Sequence, residues 1–256
     1  MSTNIGGKIN RLLLTQPYGV VFLSAWLGRQ GYSPELLRRY KSSKWLEAVG
    51  FGALKRYGEE VGYEGGIYAL QQQAGLSIHP GGRTAFSLLG RAHYLEISAK
   101  KVTLFGAENE NLPAWFTKHD WATKISYHAV KFLPPKAGLV DLDQGSFSIK
   151  ISGLERAMME CLYLAPEKQE LQECYELMES LNNLQPKKVQ RLLEECTSVK
   201  VKRLFLCLAE KAGHSWLARV KLDNVALGKG KRSLVKDGVF NKKYQITVPK
   251  SMEEHV

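Results

Sequence analysis

Arg38, Arg39, Lys41 and Lys44 put four cations into seven consecutive residues, and Trp45 follows at once. Cations at this density can neutralise phosphates, and the planar fork of arginine can also read guanine O6 and N7. The same residues could equally be a solvated helix surface. At about 100° per residue, Leu36, Leu37 and Tyr40 gather on one stripe, which suits a core. Glu35, Arg38 and Ser42 fall opposite, with Arg39 and Lys41 on the shoulders. A helix lying in a major groove needs this division: a few side chains toward base edges, cations at the margins for phosphates.

The surrounding elements decide whether that helix is presented. A short helix fits Lys8–Thr15 and a second fits Val20–Gln30, closed by Gly31. Ser33 followed by Pro34 is a strong start signal for a third, which should run to Ser42 or Ser43. WLEAVG and ALKRYG then read as two short strands around Gly50-Phe51-Gly52. Helices followed by a small hairpin form the pattern of a winged helix-turn-helix. In that setting the hairpin cations Lys55 and Arg56 would be a basic wing, and Trp45 would pack in the core.

Beyond this, GGIYALQQQAG and RTAFSLLG read as helices, and LSIHPGG as a short strand and turn. RAHYLEI, KVTLFG and ISYHAVKFLP are further strands, with LPAWFTK a helix between the last two. DLDQGSFS reads as loop. From about Ser152 several helices each offer one apolar stripe, implying a packed bundle. The end, LGKGKRSLVKDGVFNKKYQITVP, should be a basic hairpin. The expected fold class is α+β: an N-terminal winged helix-turn-helix with an α/β extension over 1–95, then a helix-rich mixed C-terminal domain over 96–256 with a terminal β-hairpin.

The chain has 256 residues and a formal net charge of +11. The charge is clustered. Residues 1–57 hold nine Lys/Arg against two acids, residues 58–186 eleven against sixteen, and residues 187–250 sixteen against five. Separate basic segments around an acidic middle point to nucleic acid or another polyanion. The apolar runs are too short to span a membrane and the first residues lack a signal-peptide pattern, so a cytoplasmic protein is expected. The four cysteines, Cys161, Cys174, Cys196 and Cys207, lack C-x-x-C spacing and fall on helices, where they read as reduced core residues. His79 has no ligand partner at metal-site spacing, and the glycines match no phosphate loop, so neither metal nor cofactor is expected.

Three functional classes compete. The first is a DNA-binding regulator. The second is a nuclease targeted by the winged helix; its only close aspartate pair is Asp141 and Asp143, with Lys150 beyond, and the carboxylate clustering that holds catalytic metal is missing. The third is a module that binds an acidic partner protein through the C-terminal hairpin.

Long stretches decide among them by resemblance. YSPELLRRYKSSKWLEAVGFGALKRYG and GGIYALQQQAGLSIHPGGRTAFSLLGRAHYL in the first part resemble AbiEi-type antitoxins and transcriptional repressors of type IV toxin–antitoxin systems, known from abortive infection. So do LQPKKVQRLLEECTSVKVKRLFLCLAEKAGHSWL and ALGKGKRSLVKDGVFNKKYQITVP in the second. The resemblance implies a winged helix that binds operator repeats in double-stranded DNA and represses its own promoter. It also implies a C-terminal domain that neutralises a nucleotidyltransferase-like toxin encoded nearby, without requiring a stable complex, and a monomer that assembles cooperatively on DNA. No catalytic residue follows from it. Carried onto this sequence, the DNA-contacting candidates are Ser33, Arg38, Arg39, Lys41, Ser42 and Lys44, with Lys55 and Arg56 on the wing. The C-terminal basic surface, for antitoxicity or cooperative binding, would comprise Lys187, Lys188, Arg191, Lys200, Lys202, Arg203, Lys229, Lys231 and Arg232.

Overall fold

The computed structural model describes residues 5–91, 101–235 and 238–250. It is a mixed α+β chain that divides into two compact units. One comprises Met1–His79, Ala99–Ala129 and Asp141–Lys150, the other Pro80–Ser98, Val130–Val140 and Ile151–Val256. They are not two consecutive segments: 99–129 and 141–150 return to the unit that holds the N-terminal elements.

The first unit opens with α1 (Ile5–Thr15), β1 (Phe22–Leu23), α2 (Ser24–Arg29), α3 (Pro34–Ser42), β2 (Leu46–Gly50) and β3 (Ala53–Arg56). The strands form an antiparallel sheet in the order β1-β3-β2, with Phe22 opposite Leu54 and Leu46 opposite Arg56. This order and pairing fit the expected winged helix-turn-helix. Ile9, Leu12, Phe22, Leu27, Leu37, Tyr40, Leu46 and Leu54 form its core. Each such large side chain taken from water contributes about 1.5–3 kcal/mol before entropy is counted.

The single helix expected over Val20–Gln30 is instead a strand followed by a shorter helix. Phe22 and Leu23 pair with β3. The buried Gln73 side chain fixes the same segment: its Oε1 accepts from the Leu23 amide at 2.8 Å and its Nε2 donates to the Val21 carbonyl at 2.8 Å. Tertiary partners override a local helical period here. Gly31 does end α2, at φ 85°.

Next come α4 (Tyr63–Tyr68) with a π-helical turn at Ala69–Gln73, β4 (His79–Pro80), α5 (Gly82–Leu88), β5 (Lys101–Ala107), α6 (Ala114–Lys118) and β6 (Lys124–Val130). β4, β5 and β6 form a three-stranded sheet in that order. His79 is a fully buried structural residue, its Nδ1 2.6 Å from the Ser77 carbonyl. Most of the expected strand RAHYLEI lies outside the described residues. The segment expected as loop is a hairpin, β7 (Leu139–Asp143) and β8 (Ser148–Ser152), turned at Gly145. Gly65 in α4 is packed so closely that an added Cβ would lie 1.9 Å from the Gly19 carbonyl oxygen. Backbone cannot yield as a flexible side chain does. Gly65→Ala is therefore expected to destabilise by about 1–3 kcal/mol or more, measured by thermal or urea unfolding.

In the second unit, α7 (Leu154–Leu164) lies against α5, α8 (Leu171–Glu179), α9 (Pro186–Glu195) and α10 (Val199–Lys211). Met158, Met159, Cys161, Leu162, Cys174, Leu193, Leu204 and Phe205 are buried there, so the expected bundle is present. All four cysteines are free and buried. The terminal segment forms a small sheet of β9 (Arg232–Ser233), β10 (Val239–Asn241) and β11 (Ile246–Val248), in which β11 pairs antiparallel with β10 and parallel with β9.

Candidate nucleic-acid interface

Helix α3 is built to present one face. Ser33 caps its start, its Oγ accepting from the Leu36 amide at 3.2 Å. Leu37 and Tyr40 anchor it in the core. The helix ends in a Schellman arrangement: the Trp45 amide donates to Tyr40 O at 2.9 Å and the Lys44 amide to Lys41 O at 3.1 Å. Lys44 occupies the left-handed position of that motif, at φ 55°. Glycine is the usual residue there because a Cβ is disfavoured. Lys44→Gly should therefore stabilise the chain by up to about 1 kcal/mol, read as a raised unfolding midpoint.

Of the predicted contacts, Ser33, Arg38, Arg39, Lys41, Ser42 and Lys44 are exposed on this unit. Arg38 Nη2 bonds Glu35 Oε1 at 3.1 Å, and both side chains are about 70% exposed. The Glu35 carboxyl is held below its ordinary value, first by its own backbone amide, then by the Ser33 hydroxyl, with Arg38 a smaller cause. An ion pair this open to water is readily exchanged for another anion. Ser42 Oγ donates to Arg39 O at 2.9 Å, and Lys44 Nζ lies 5.6 Å from the centre of the Tyr57 ring. The face is cationic, solvated and held on a capped, core-anchored helix. It can meet phosphates and base edges.

Of the two cations expected on the wing, one is withdrawn from the surface and the other is partly so. Arg56 is buried, at 8% exposure. Its Nη1 donates to Pro17 O at 2.7 Å, and its Nη2 to Leu13 O at 3.0 Å and Gln16 O at 2.6 Å. It satisfies one carbonyl in the last turn of α1 and two just beyond the helix, beside Glu59 and over the Tyr18 ring. Lys55 is partly buried, bonded to Glu47 at 3.0 Å and to the Glu59 carbonyl at 2.6 Å. Strand alternation was the available signal for Arg56: residues two apart share a face, so Arg56 follows Leu54 inward. Trp45, expected in the core, is 47% exposed.

The C-terminal candidates also separate. On α9, Lys187, Lys188 and Arg191 are exposed, Arg191 paired with Glu195 at 2.8 Å. Lys229, Lys231 and Arg232 are exposed, with Lys231 Nζ 5.2 Å from the centre of the Phe240 ring. The other three are engaged within the fold, Lys200 half-buried and Lys202 and Arg203 buried. Lys200 donates to the Tyr163 and Ala165 carbonyls, each at 2.7 Å, and burial holds its pKa below the ordinary lysine value. Lys202 is buried at 4% exposure. Arg203 is buried and clasps the terminal segment, donating to Leu227 O, Gly230 O, Gln245 O and Gly228 O. Burial lowers its pKa, with Arg232 a second cause.

Sequence reasoning missed the buried pair Arg156–Glu160, at 2.8 Å. Glu160 also accepts from the Gly82 amide at 2.9 Å and Ser152 Oγ at 2.7 Å, while Arg156 Nη1 donates to Pro134 O and Ala137 O. The i,i+4 spacing was legible; that both groups are buried was not.

Asp141 is bonded to Lys150 at 2.7 Å, and Asp143 accepts from the Gly145 amide at 2.8 Å. Among the described residues no group of three or more His, Cys, Asp or Glu is arranged to hold a metal ion. No helix among them is long and apolar enough to cross a membrane.

A family model described as a transcriptional regulator, AbiEi antitoxin, of type IV toxin–antitoxin systems matches residues 99–249. A second, described as the AbiEi antitoxin N-terminal domain, matches residues 6–97. No curated protein matches the chain. Among solved structures, the crystal structure of the RV2827C protein from Mycobacterium tuberculosis is similar, with a TM-score of 0.53 and 14% identity, covering 94% of this chain and 88% of that one. At that identity the likeness speaks to the fold.

Proposed function

This chain belongs to the AbiEi antitoxins, transcriptional regulators of type IV toxin–antitoxin systems, and on that premise we propose that it binds operator DNA through α3 and represses its own promoter. The observation that carries the reading is the exposed face of Arg38, Arg39, Lys41 and Ser42 on a helix whose opposite side is anchored by Leu37 and Tyr40. The helix enters the major groove of duplex DNA, Arg38 reaching base edges and its neighbours the phosphates. Lys44 reaches a phosphate at the margin, which accounts for a lysine in a position that glycine would fill with less strain. The protein acts as a monomer that assembles cooperatively on operator repeats.

The antitoxin role is placed on the second unit. Its partner is a nucleotidyltransferase-like toxin encoded nearby, and the exposed cations Lys187, Lys188, Arg191, Lys229, Lys231 and Arg232 form the surface for antitoxicity or for cooperative DNA binding. The chain carries no catalysis of its own in this reading.

A reporter fused to the region upstream of the gene tests repression. Wild-type protein should silence it, and Arg38→Ala/Arg39→Ala should release it at equal protein level. Repression unchanged by the double variant would remove α3 from the role. Toxin co-expression tests the second unit separately: Lys187→Ala/Lys188→Ala/Arg191→Ala should lose protection or cooperativity while a single operator repeat is still bound.

A further inference from the structure

Phe51 stands at the tip of the β2–β3 turn with its side chain 99% exposed. The turn is pinned from both sides. A Cβ on Gly50 would lie 2.9 Å from Trp115 Cβ and 3.0 Å from Trp115 Cα, so that strand end is packed tightly on α6. Gly52 adopts φ 80°, and its carbonyl accepts from the Ser24 amide at 2.8 Å. A tip fixed in this way cannot fold the ring back into the core. The two cations expected on this hairpin are both engaged within the fold, Lys55 by Glu47 and Arg56 by the Leu13 and Gln16 carbonyls. The wing thus offers its partner an aromatic ring at its tip, not a charge.

The bond to Ser24 places the turn that carries the ring beside the start of α2. Ser24 starts α2, and in a helix-turn-helix the helix before the recognition helix crosses the phosphate backbone. A turn bonded to the start of α2 lies beside the strand that separates the groove holding α3 from the neighbouring minor groove. Proteins that bind the minor groove use apolar side chains, phenylalanine among them, as wedges that partly unstack a base step. We propose that Phe51 is a minor-groove wedge: its ring presses against a base step next to the α3 site, favours the easily unstacked pyrimidine–purine steps, and supplies affinity that salt does not screen. This rests on the reading of α3 as the DNA-binding helix.

The test uses the full chain and the duplexes it selects from a randomised pool, with 2-aminopurine placed at successive steps flanking the α3 contacts. Phe51→Ala should weaken binding about ten- to hundredfold with the slope of log K against log salt unchanged. The fluorescence rise at one step on binding should disappear with it. Phe51→Leu, which keeps an apolar wedge, should retain much of both. Lys55→Ala should leave the slope as it is, whereas Arg38→Ala/Arg39→Ala should flatten it. If Phe51→Ala binds and unstacks like wild type while the arginine double variant fails, the wedge is wrong and the α3 reading stands. If wild type selects no duplex, the α3 reading itself falls. If Phe51→Ala binds DNA normally but loses self-association or protection against toxin, the ring serves a protein partner and the wedge is likewise overturned. Phe51 touches no core residue, so equal thermal melts of the variants exclude misfolding as the cause.

Discussion

Arg156→Met lowers the free energy of unfolding of the second unit by about 3–5 kcal/mol. The cause is what remains behind. Glu160 is fully buried, and without the guanidinium at 2.8 Å its charge loses its ion-pair partner, although the Gly82 amide and Ser152 hydroxyl still donate to it. The Ala137 carbonyl loses the guanidinium donor as well, and the Pro134 carbonyl keeps only its weaker backbone bond from the Ala137 amide at 3.2 Å. A buried charge stripped of its partner costs more than the pair contributes, because the desolvation of both ions is already borne in the native state. Urea unfolding should show the midpoint falling with little change in slope. Glu160→Gln should cost less, since the amide oxygen still accepts a hydrogen bond where the carboxylate did. If Arg156→Met unfolds at the wild-type midpoint, the pair is not the clasp its geometry describes.

Operator affinity should fall about 10³–10⁵-fold between about 50 and 200 mM salt, the loss expected when roughly 6–10 phosphates are neutralised. The exposed cations of α3 are the source of that sensitivity, because phosphate contacts release counterions in proportion to their number. Each phosphate-contacting cation replaced by alanine should flatten the salt slope by about one unit. Fluorescence anisotropy with a selected duplex over a salt series measures it. Affinity that barely responds to salt would mean that the basic face of α3 is solvated surface and nothing more.

Helix α3 was readable because its signals are local and agree with one another: a capping serine, a proline at the first position, and an apolar stripe opposite the cations. The bundle was readable for the same reason. Arginines were not, because a guanidinium that caps a helix and one that faces solvent look alike in sequence. Arg56 lies inward with Leu54, and Arg203 sits inside a helix whose next six residues, Leu204, Phe205, Leu206, Cys207, Leu208 and Ala209, are all buried. A helix apolar on every side leaves its flanking charges little solvent to face, and that cue also covered Lys202. The strand at Phe22–Leu23 was hidden because two residues carry no period; its existence depends on Gln73, which is distant in sequence. The sequence puts Phe51 in a turn, but its full exposure is a property of the folded hairpin.

The most direct measurement is base-by-base specificity. A selected duplex is varied one base pair at a time, and binding is compared between wild type and Arg38→Ala. Wild type should discriminate at each contacted position, and the variant should lose about 1–3 kcal/mol of discrimination at one position while keeping the rest. Discrimination that survives unchanged at every position, or that falls evenly across all of them, would contradict a recognition helix reading bases through Arg38.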